Sequence, residues 1–181
     1  MSESEEQLIE RAKHDADAFG ILYERYVDRI YNYILYRVGD AHEAEDLTAR
    51  VFFRALARIA DYHQRGAPFA AWLYRIAHNL VANWHRDRSR HPAIRLDDAL
   101  MIASKGAGPD HLAEQSDDAR ILLDAIRRLP VERQQILILK YVDDLSNADI
   151  ARVMGRSEGA VKSLYHRTLI ELRNLLPGIF D

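Results

Sequence analysis

Hydrophobic positions in this chain recur at three- and four-residue steps over most of its length, the spacing of helices with one buried face. The first long run covers residues 17–38, where Phe19, Leu22, Tyr23, Tyr26, Val27, Ile30, Tyr31, Ile34, Leu35 and Val38 form a wide stripe. Gly39 stops it, because glycine accepts the left-handed backbone that ends a helix. Asp40 and Glu43 make a capping pair for a second helix, whose stripe is Ala44, Leu47, Thr48, Val51, Phe52, Ala55 and Ile59. Residues 61–67 form a polar loop, and Pro68 suits the first turn of a third helix, where its missing N–H has no partner to lose. This helix buries Phe69, Trp72 or Leu73, Ile76, Leu80 and Trp84, and ends at His91-Pro92.

From residue 92 to about 116 no period holds, and Gly106, Gly108 and Pro109 mark a linker. Periodicity resumes near Asp117 with Leu122, Ala125, Ile126 and Leu129; Pro130 opens a further helix carrying Ile136, Leu137, Leu139, Lys140 and Tyr141. Residues 145–176 then form two amphipathic helices hinged at Gly155. Ser146 caps the first, Asp149 favours its start, and Ile150, Val153 and Met154 are its buried stripe. Ser157 caps the second, in which Val161, Leu164, Thr168, Leu169 and Leu172 form the stripe. Arg156, Lys162, Ser163, His166 and Arg167 lie off it. That is the pattern of a helix-turn-helix whose second helix enters a DNA major groove; a helical hairpin with a solvated charged face is the plainer alternative. No strand pattern survives. The expected fold is all-α: a helical domain over 1–91, an irregular acidic linker over 92–116, and a second helical domain over 117–181 ending in the helix-turn-helix.

Composition sharpens this picture. With 181 residues, 48% of them hydrophobic, there is enough apolar surface for two small cores. No cysteine is present, which excludes disulfides, thiolate metal sites and cysteine nucleophiles. The net charge of −3 is unusual for a free-standing DNA binder, whose affinity comes largely from neutralising phosphates. Positive charge is instead local: Arg86, Arg88, Arg90 and Arg95 face one acid, Asp87, while residues 97–118 are acidic. A protein that binds DNA within a larger assembly, and weakly alone, is expected. The acidic groups His14/Asp15/Asp17 and His42/Glu43/Glu45/Asp46 lack the paired Glu-x-x-His of helical di-iron sites, and no H-E-x-x-H occurs. Neither an enzyme, a cofactor nor a metal site is expected. Residues 1–10 are acidic and polar, unlike a secretory signal, and no apolar run reaches membrane-span length, so a cytoplasmic protein without membrane insertion is expected.

With both domains placed, the chain resembles the bacterial RNA polymerase sigma factors of the extracytoplasmic-function (ECF) type. The resemblance rests on His42-Glu43-Ala44-Glu45-Asp46-Leu47, Val51-Phe52 and Arg54-Ala55, then Phe69, Trp72-Leu73-Tyr74-Arg75-Ile76-Ala77 and Asn79-Leu80. In the second domain it rests on Leu129-Pro130, Arg133, Leu145-Ser146, Ile150-Ala151, Gly155, Ser157-Glu158-Gly159, Val161-Lys162-Ser163 and His166-Arg167. It implies attachment to core RNA polymerase, recognition of −35 and −10 promoter elements, help in opening the duplex, and control by an anti-sigma factor.

The resemblance also implies residue roles. Glu43, Glu45 and Asp46 would dock on basic side chains of the polymerase clamp helices; a capping cluster favoured by the helix dipole is the alternative. Where many relatives carry Gln-Glu this chain has Ala49-Arg50, which would retune that contact. Tyr62, His63, Gln64, Arg65, Tyr74, Arg75, Asn79 and Asn83 would read and melt the −10 element by stacking and by hydrogen bonds to exposed base edges. Arg75, Asn79 and Asn83 recur every four residues on one face, suiting either a track for single-stranded DNA or a solvated face. Trp72 is assigned to the core. Arg86, Arg88 and Arg90 would meet phosphate; a solvated arginine run at a helix end is the alternative. Arg156, Ser157, Glu158, Gly159, Lys162, Ser163, His166 and Arg167 would read the −35 element in duplex form, with Gly159 allowing close backbone approach. Where many relatives have Arg-Leu this chain has Leu164-Tyr165, and no role is carried over to Leu164. A conventional regulator with a response-regulator-type output helix-turn-helix is the rival reading. It requires an α/β receiver or a ligand domain upstream.

Overall fold

The computed structural model describes residues 3–63, 66–88 and 117–176, the side chains of residues 88, 117–120 and 123 excepted. The chain divides into two compact units, Met1–Ala99 and Leu100–Asp181. Among the described residues every regular element is helical, as expected.

In the first unit the elements are α1 (Glu5–Ala12), α2 (Ala16–Val38), α3 (Ala41–Arg58), a 3₁₀ turn (Ile59–Asp61) and α4 (Phe69–Arg88). Helix α2 packs against each of the others, and α3 also packs against α4. The sequence pattern left α1 unassigned. It is nucleated by a capping box: Gln7 N donates to Ser4 Oγ (3.2 Å) and Ser4 N to Gln7 Oε1 (3.0 Å). It buries Leu8, Ile9 and Ala12. Glu5 ties it to α2, accepting from the Tyr26 hydroxyl at 2.6 Å and from Arg25 Nη1 at 3.2 Å. Burial and that carboxylate hold the Tyr26 hydroxyl well above the ordinary phenol range.

The α2 and α3 boundaries follow the predicted signals. Gly39 takes φ 73° and closes α2, and the Asp40 side chain accepts from Glu43 N at 2.9 Å to open α3. Every residue of the predicted α3 stripe is buried. In α2 the expectation needs correction: Tyr23 is exposed, whereas Tyr33, outside the stripe, is buried edge-on against Tyr74 at 4.9 Å. Helices α1, α3 and α4 all pack on α2, so its buried arc is wider than a single stripe. Helix α4 behaves likewise. It starts one residue after Pro68, whose carbonyl accepts from Ala71 N, and it buries Phe69, Leu73, Tyr74, Ala77, Leu80 and Val81. Trp72, Ile76 and Trp84 stay only half-buried.

Where α2 ends, Arg37 meets two histidines of α4. Its Nη1 lies 3.0 Å from His78 Nδ1, and His85 is held below the ordinary histidine value by burial and then by the Arg37 charge, against an opposing hydrogen bond to the Arg37 backbone. A depressed histidine stabilises the fold in its neutral form. That contribution is complete above the unfolded value of 6.5 and is lost as pH falls through the lower folded value. The melting temperature of the first unit is therefore expected to drop between neutral pH and pH ~5, and His85→Gln should flatten this dependence. Thermal melts followed by circular dichroism check it; an unchanged slope in His85→Gln contradicts it.

The second unit contains α5 (Asp117–Arg128), α6 (Val131–Leu137) running into a π-helical turn (Ile138–Val142), α7 (Asn147–Met154) and α8 (Glu158–Leu175). Helix α8 is the hub, packing on α5, α6 and α7. Gln134 closes the α5–α6 corner, its Nε2 donating to the carbonyls of Leu129 (2.7 Å) and Arg127 (3.2 Å). Two expectations are corrected here. Leu122 is 40% exposed rather than part of the α5 stripe, which is buried at Ala125 and Leu129. Tyr141 is 65% exposed, because the wider π turn shifts the register of α6 and rotates it outward. The expected linker, residues 92–116, lies outside the described residues, as does His91-Pro92.

Candidate nucleic-acid interface

The limits of the helix-turn-helix are set by local signals. Ser146 Oγ accepts from Asp149 N (3.1 Å) and donates to Asp149 Oδ2 (2.6 Å), while Arg152 holds the other carboxylate oxygen at 2.9 Å. Asp149 is buried, and this network satisfies it. Gly155 takes φ 64°, turning the chain, and Ser157 then accepts from Ala160 N at 3.2 Å to start α8. Ile150, Val153, Met154, Val161, Leu164 and Thr168 are buried.

All eight predicted recognition residues, Arg156, Ser157, Glu158, Gly159, Lys162, Ser163, His166 and Arg167, are exposed. At about 100° per residue, Gly159, Lys162, Ser163 and His166 share an arc of about 100° facing away from the buried side, with Glu158 and Arg167 flanking it. A polar helical face with a capped, dipole-positive start is suited to a phosphate-bordered groove. Leu169, expected in the stripe, is 36% exposed. Leu164 is buried, so it has no outward role, and the Tyr165 hydroxyl meets that of Tyr141, which holds it above the ordinary phenol range.

A Cβ built at Gly159 meets nothing within 4 Å. Gly159→Ala is therefore expected to leave the fold intact or stabilise it by roughly 0.5–1 kcal/mol, while weakening duplex binding through loss of close approach. A thermal melt paired with fluorescence anisotropy checks both; binding that is unchanged contradicts the close approach.

In the first unit, Arg75, Asn79, Asn83 and Arg86 are exposed on α4. With the half-buried Trp72 they fall within an arc of about 80°, one continuous track. Arg86 Nη2 contacts Asn83 Oδ1 within it. Sequence reasoning assigned Trp72 to the core; its half-exposed ring stands at the head of the track, against Tyr62 (4.8 Å) and Phe69 (5.4 Å). The signal was its three- and seven-residue spacing from Arg75 and Asn79, which puts it on their face. Tyr62 needs the opposite correction. Its ring is buried, edge-on to Phe69 at 5.4 Å, so packing occupies the face a base would need. Tyr74 is fully buried too, its ring edge-on to Tyr33 at 4.9 Å. His63 is exposed; Gln64, Arg65, Arg90 and the side chain of Arg88 lie outside the described residues.

At the start of α3, Glu45 and Asp46 are exposed, with Arg50 at 3.7 Å from Asp46. Glu43 differs: its carboxylate accepts from Trp84 Nε1 at 2.9 Å, bridging α3 to α4 instead of reaching back to complete a capping box. No group of three or more histidine and acidic side chains among the described residues is arranged to hold a metal, and no described helix is long and apolar enough to cross a membrane.

Residues 22–91 match the family described as Sigma-70 region 2, and residues 119–172 match Sigma-70, region 4. The chain is 42% identical over 172 residues to the ECF RNA polymerase sigma factor BldN of Streptomyces coelicolor, covering 94% of this chain but only 65% of that relative's length. It is 32% identical over 174 residues to the ECF RNA polymerase sigma factor SigW of Bacillus subtilis, covering 91% of each. Its fold is that of CnrH, solved with the cytosolic domain of CnrY (TM-score 0.63, 21% identity, 95% of this chain and 96% of that one). It is likewise that of the sigma factor RpoE solved with the anti-sigma factor NepR from Bartonella quintana (TM-score 0.64, 20% identity, 89% and 98%).

Proposed function

This chain belongs to the ECF RNA polymerase sigma factors, and from that premise we propose that it binds core RNA polymerase and directs initiation at promoters read through two separate surfaces. The exposed face of α8 reads the −35 element as duplex, with Lys162 and Arg167 donating to guanine or phosphate and Glu158 accepting from cytosine. The α4 track, Arg75, Asn79, Asn83 and Arg86, holds the melted −10 strand, joined by His63, Gln64, Arg65 and Arg88; Trp72 supplies a stacking surface in place of Tyr62. Glu45 and Asp46 steer docking on the polymerase, while Glu43 braces α4 through Trp84.

The protein contributes binding and strand separation; phosphodiester chemistry stays with the polymerase, and no cofactor is involved. Its place is the cytoplasm, with an anti-sigma factor as its inhibitory partner, in keeping with the complexes in which CnrH and RpoE were solved. The domain limits of 1–91 and 117–181 belong to the same reading.

One observation carries it. A capped helix-turn-helix with an outward polar face and a second helical unit with an exposed Arg-Asn-Asn-Arg track occur in one chain. The rival, a response-regulator-type output protein, calls for an α/β receiver or a ligand domain upstream, whereas residues 22–91 match Sigma-70 region 2. The test is Asn79→Ala, assayed with core polymerase on a promoter recovered by start-site mapping. Core binding is expected to persist and permanganate reactivity of melted thymines to fall about ten-fold, the loss of one base contact worth about 1–3 kcal/mol. Loss of core binding instead would refute the assignment of this face to DNA.

A further inference from the structure

Glu132 stands outside every segment given a part in DNA recognition above, exposed in the first turn of α6. Its carboxylate is nonetheless held by the guanidinium of Arg156, the first cation of the recognition segment. The other cations there are occupied too. Lys162 pairs with Glu158 at 2.9 Å, and Arg167 Nε donates to the Ser163 carbonyl at 3.3 Å. Of these acceptors only Glu132 comes from a different helix and has no reading role of its own. A phosphate approaching Arg156 has to displace it.

The geometry points to Glu132 as a built-in competitor for DNA phosphate, one that suppresses capture of non-promoter duplex by the free protein. This rests on the proposed reading of α8. A carboxylate and a phosphate offer a guanidinium equivalent planar pairs of acceptor oxygens, so they are alternative occupants of Arg156. Both partners are about 40% exposed, and such pairs are weak. The carboxylate therefore yields when polymerase and the −10 contacts already hold a promoter in place. It does not yield readily to random duplex, whose binding depends almost wholly on phosphate neutralisation. This accounts for a reading surface that carries three cations in a chain of net charge −3.

The test uses the full chain and a fluorescent random-sequence duplex, with anisotropy measured across a salt series. Glu132→Gln is expected to bind about 1.5- to 5-fold tighter at low salt, with a log–log salt slope steeper by about 0.9 as one more phosphate is neutralised. The same substitution in an Arg156→Ala background should give no gain. A gain that survives without Arg156 would reflect only the removal of a negative charge, and overturns the competitor. So does unchanged or weaker binding by Glu132→Gln while the wild-type chain binds in a salt-dependent way; the DNA-reading role of α8 then stands. If neither wild type nor variant binds duplex at low salt, that role falls, and the competitor with it.

Discussion

Phe69→Ala is expected to destabilise the first unit by about 3–5 kcal/mol, a large share of the 5–15 kcal/mol typical of a domain. Phe69 is 1% exposed and joins aromatic packing from α2, α4 and the residue after the 3₁₀ turn: Tyr26 lies at 5.7 Å, Tyr62 at 5.4 Å and Trp72 at 5.4 Å between ring centroids. Removing it leaves a cavity that rigid neighbours on α2 and α4 cannot close. The same cluster sets Trp72 at the head of the α4 track, so promoter opening should fail along with stability. Duplex binding should survive, because α8 is anchored by a core of its own unit through Val161, Leu164 and Thr168. Thermal melts and anisotropy on the full chain separate the two effects. A loss below about 1 kcal/mol would mean that Phe69 is not the keystone of this packing.

Lys162→Ala addresses function with little effect on the fold. Lys162 sits on the outward arc of α8, and its ion pair with Glu158 joins two exposed side chains one helical turn apart. Such pairs contribute a few tenths of a kcal/mol, so melting should change little. If Lys162 contacts a base edge or phosphate of the −35 element, transcription that depends on that element should fall roughly ten-fold or more, a loss of about 1–3 kcal/mol. Core polymerase binding, measured by co-purification, should be unaffected. Loss of core binding would show that the two surfaces do not divide the work as proposed.

What the sequence made legible was whatever is local. Ser146, Gly155 and Ser157 fix the helix-turn-helix through bonds spanning three or four residues, so its limits and its outward face could be read directly. The α3 stripe was legible because all its buried residues fall at three- and four-residue steps on one face. On α2, covered by three helices, and on α4 the buried arc is wider, and Tyr33 and Tyr74 went inside without a periodic signal. Helix α1 offers three buried apolar residues among acids, and its capping box was the one clue. The π turn that exposes Tyr141 leaves no trace in residue spacing.

At the candidate site, the polar faces of α4 and α8 were recovered as the complement of buried stripes. The partners of individual side chains were not. Trp84 lies far along the chain from Glu43, and Glu132 is 24 residues from Arg156. Only the fold brings such pairs together. An aromatic residue beside a polar loop, such as Tyr62, is equally suited to stack on a base or on Phe69; burial decided between them.

Run-off transcription with purified core RNA polymerase tests the central claim most directly. Core alone, on templates bearing promoters mapped by start-site sequencing, should give no specific transcript. Added chain should produce one discrete start per promoter, and mutating either the −35 or the −10 element should abolish it. A chain that fails to join core polymerase, or joins it while starts remain scattered, would contradict the account.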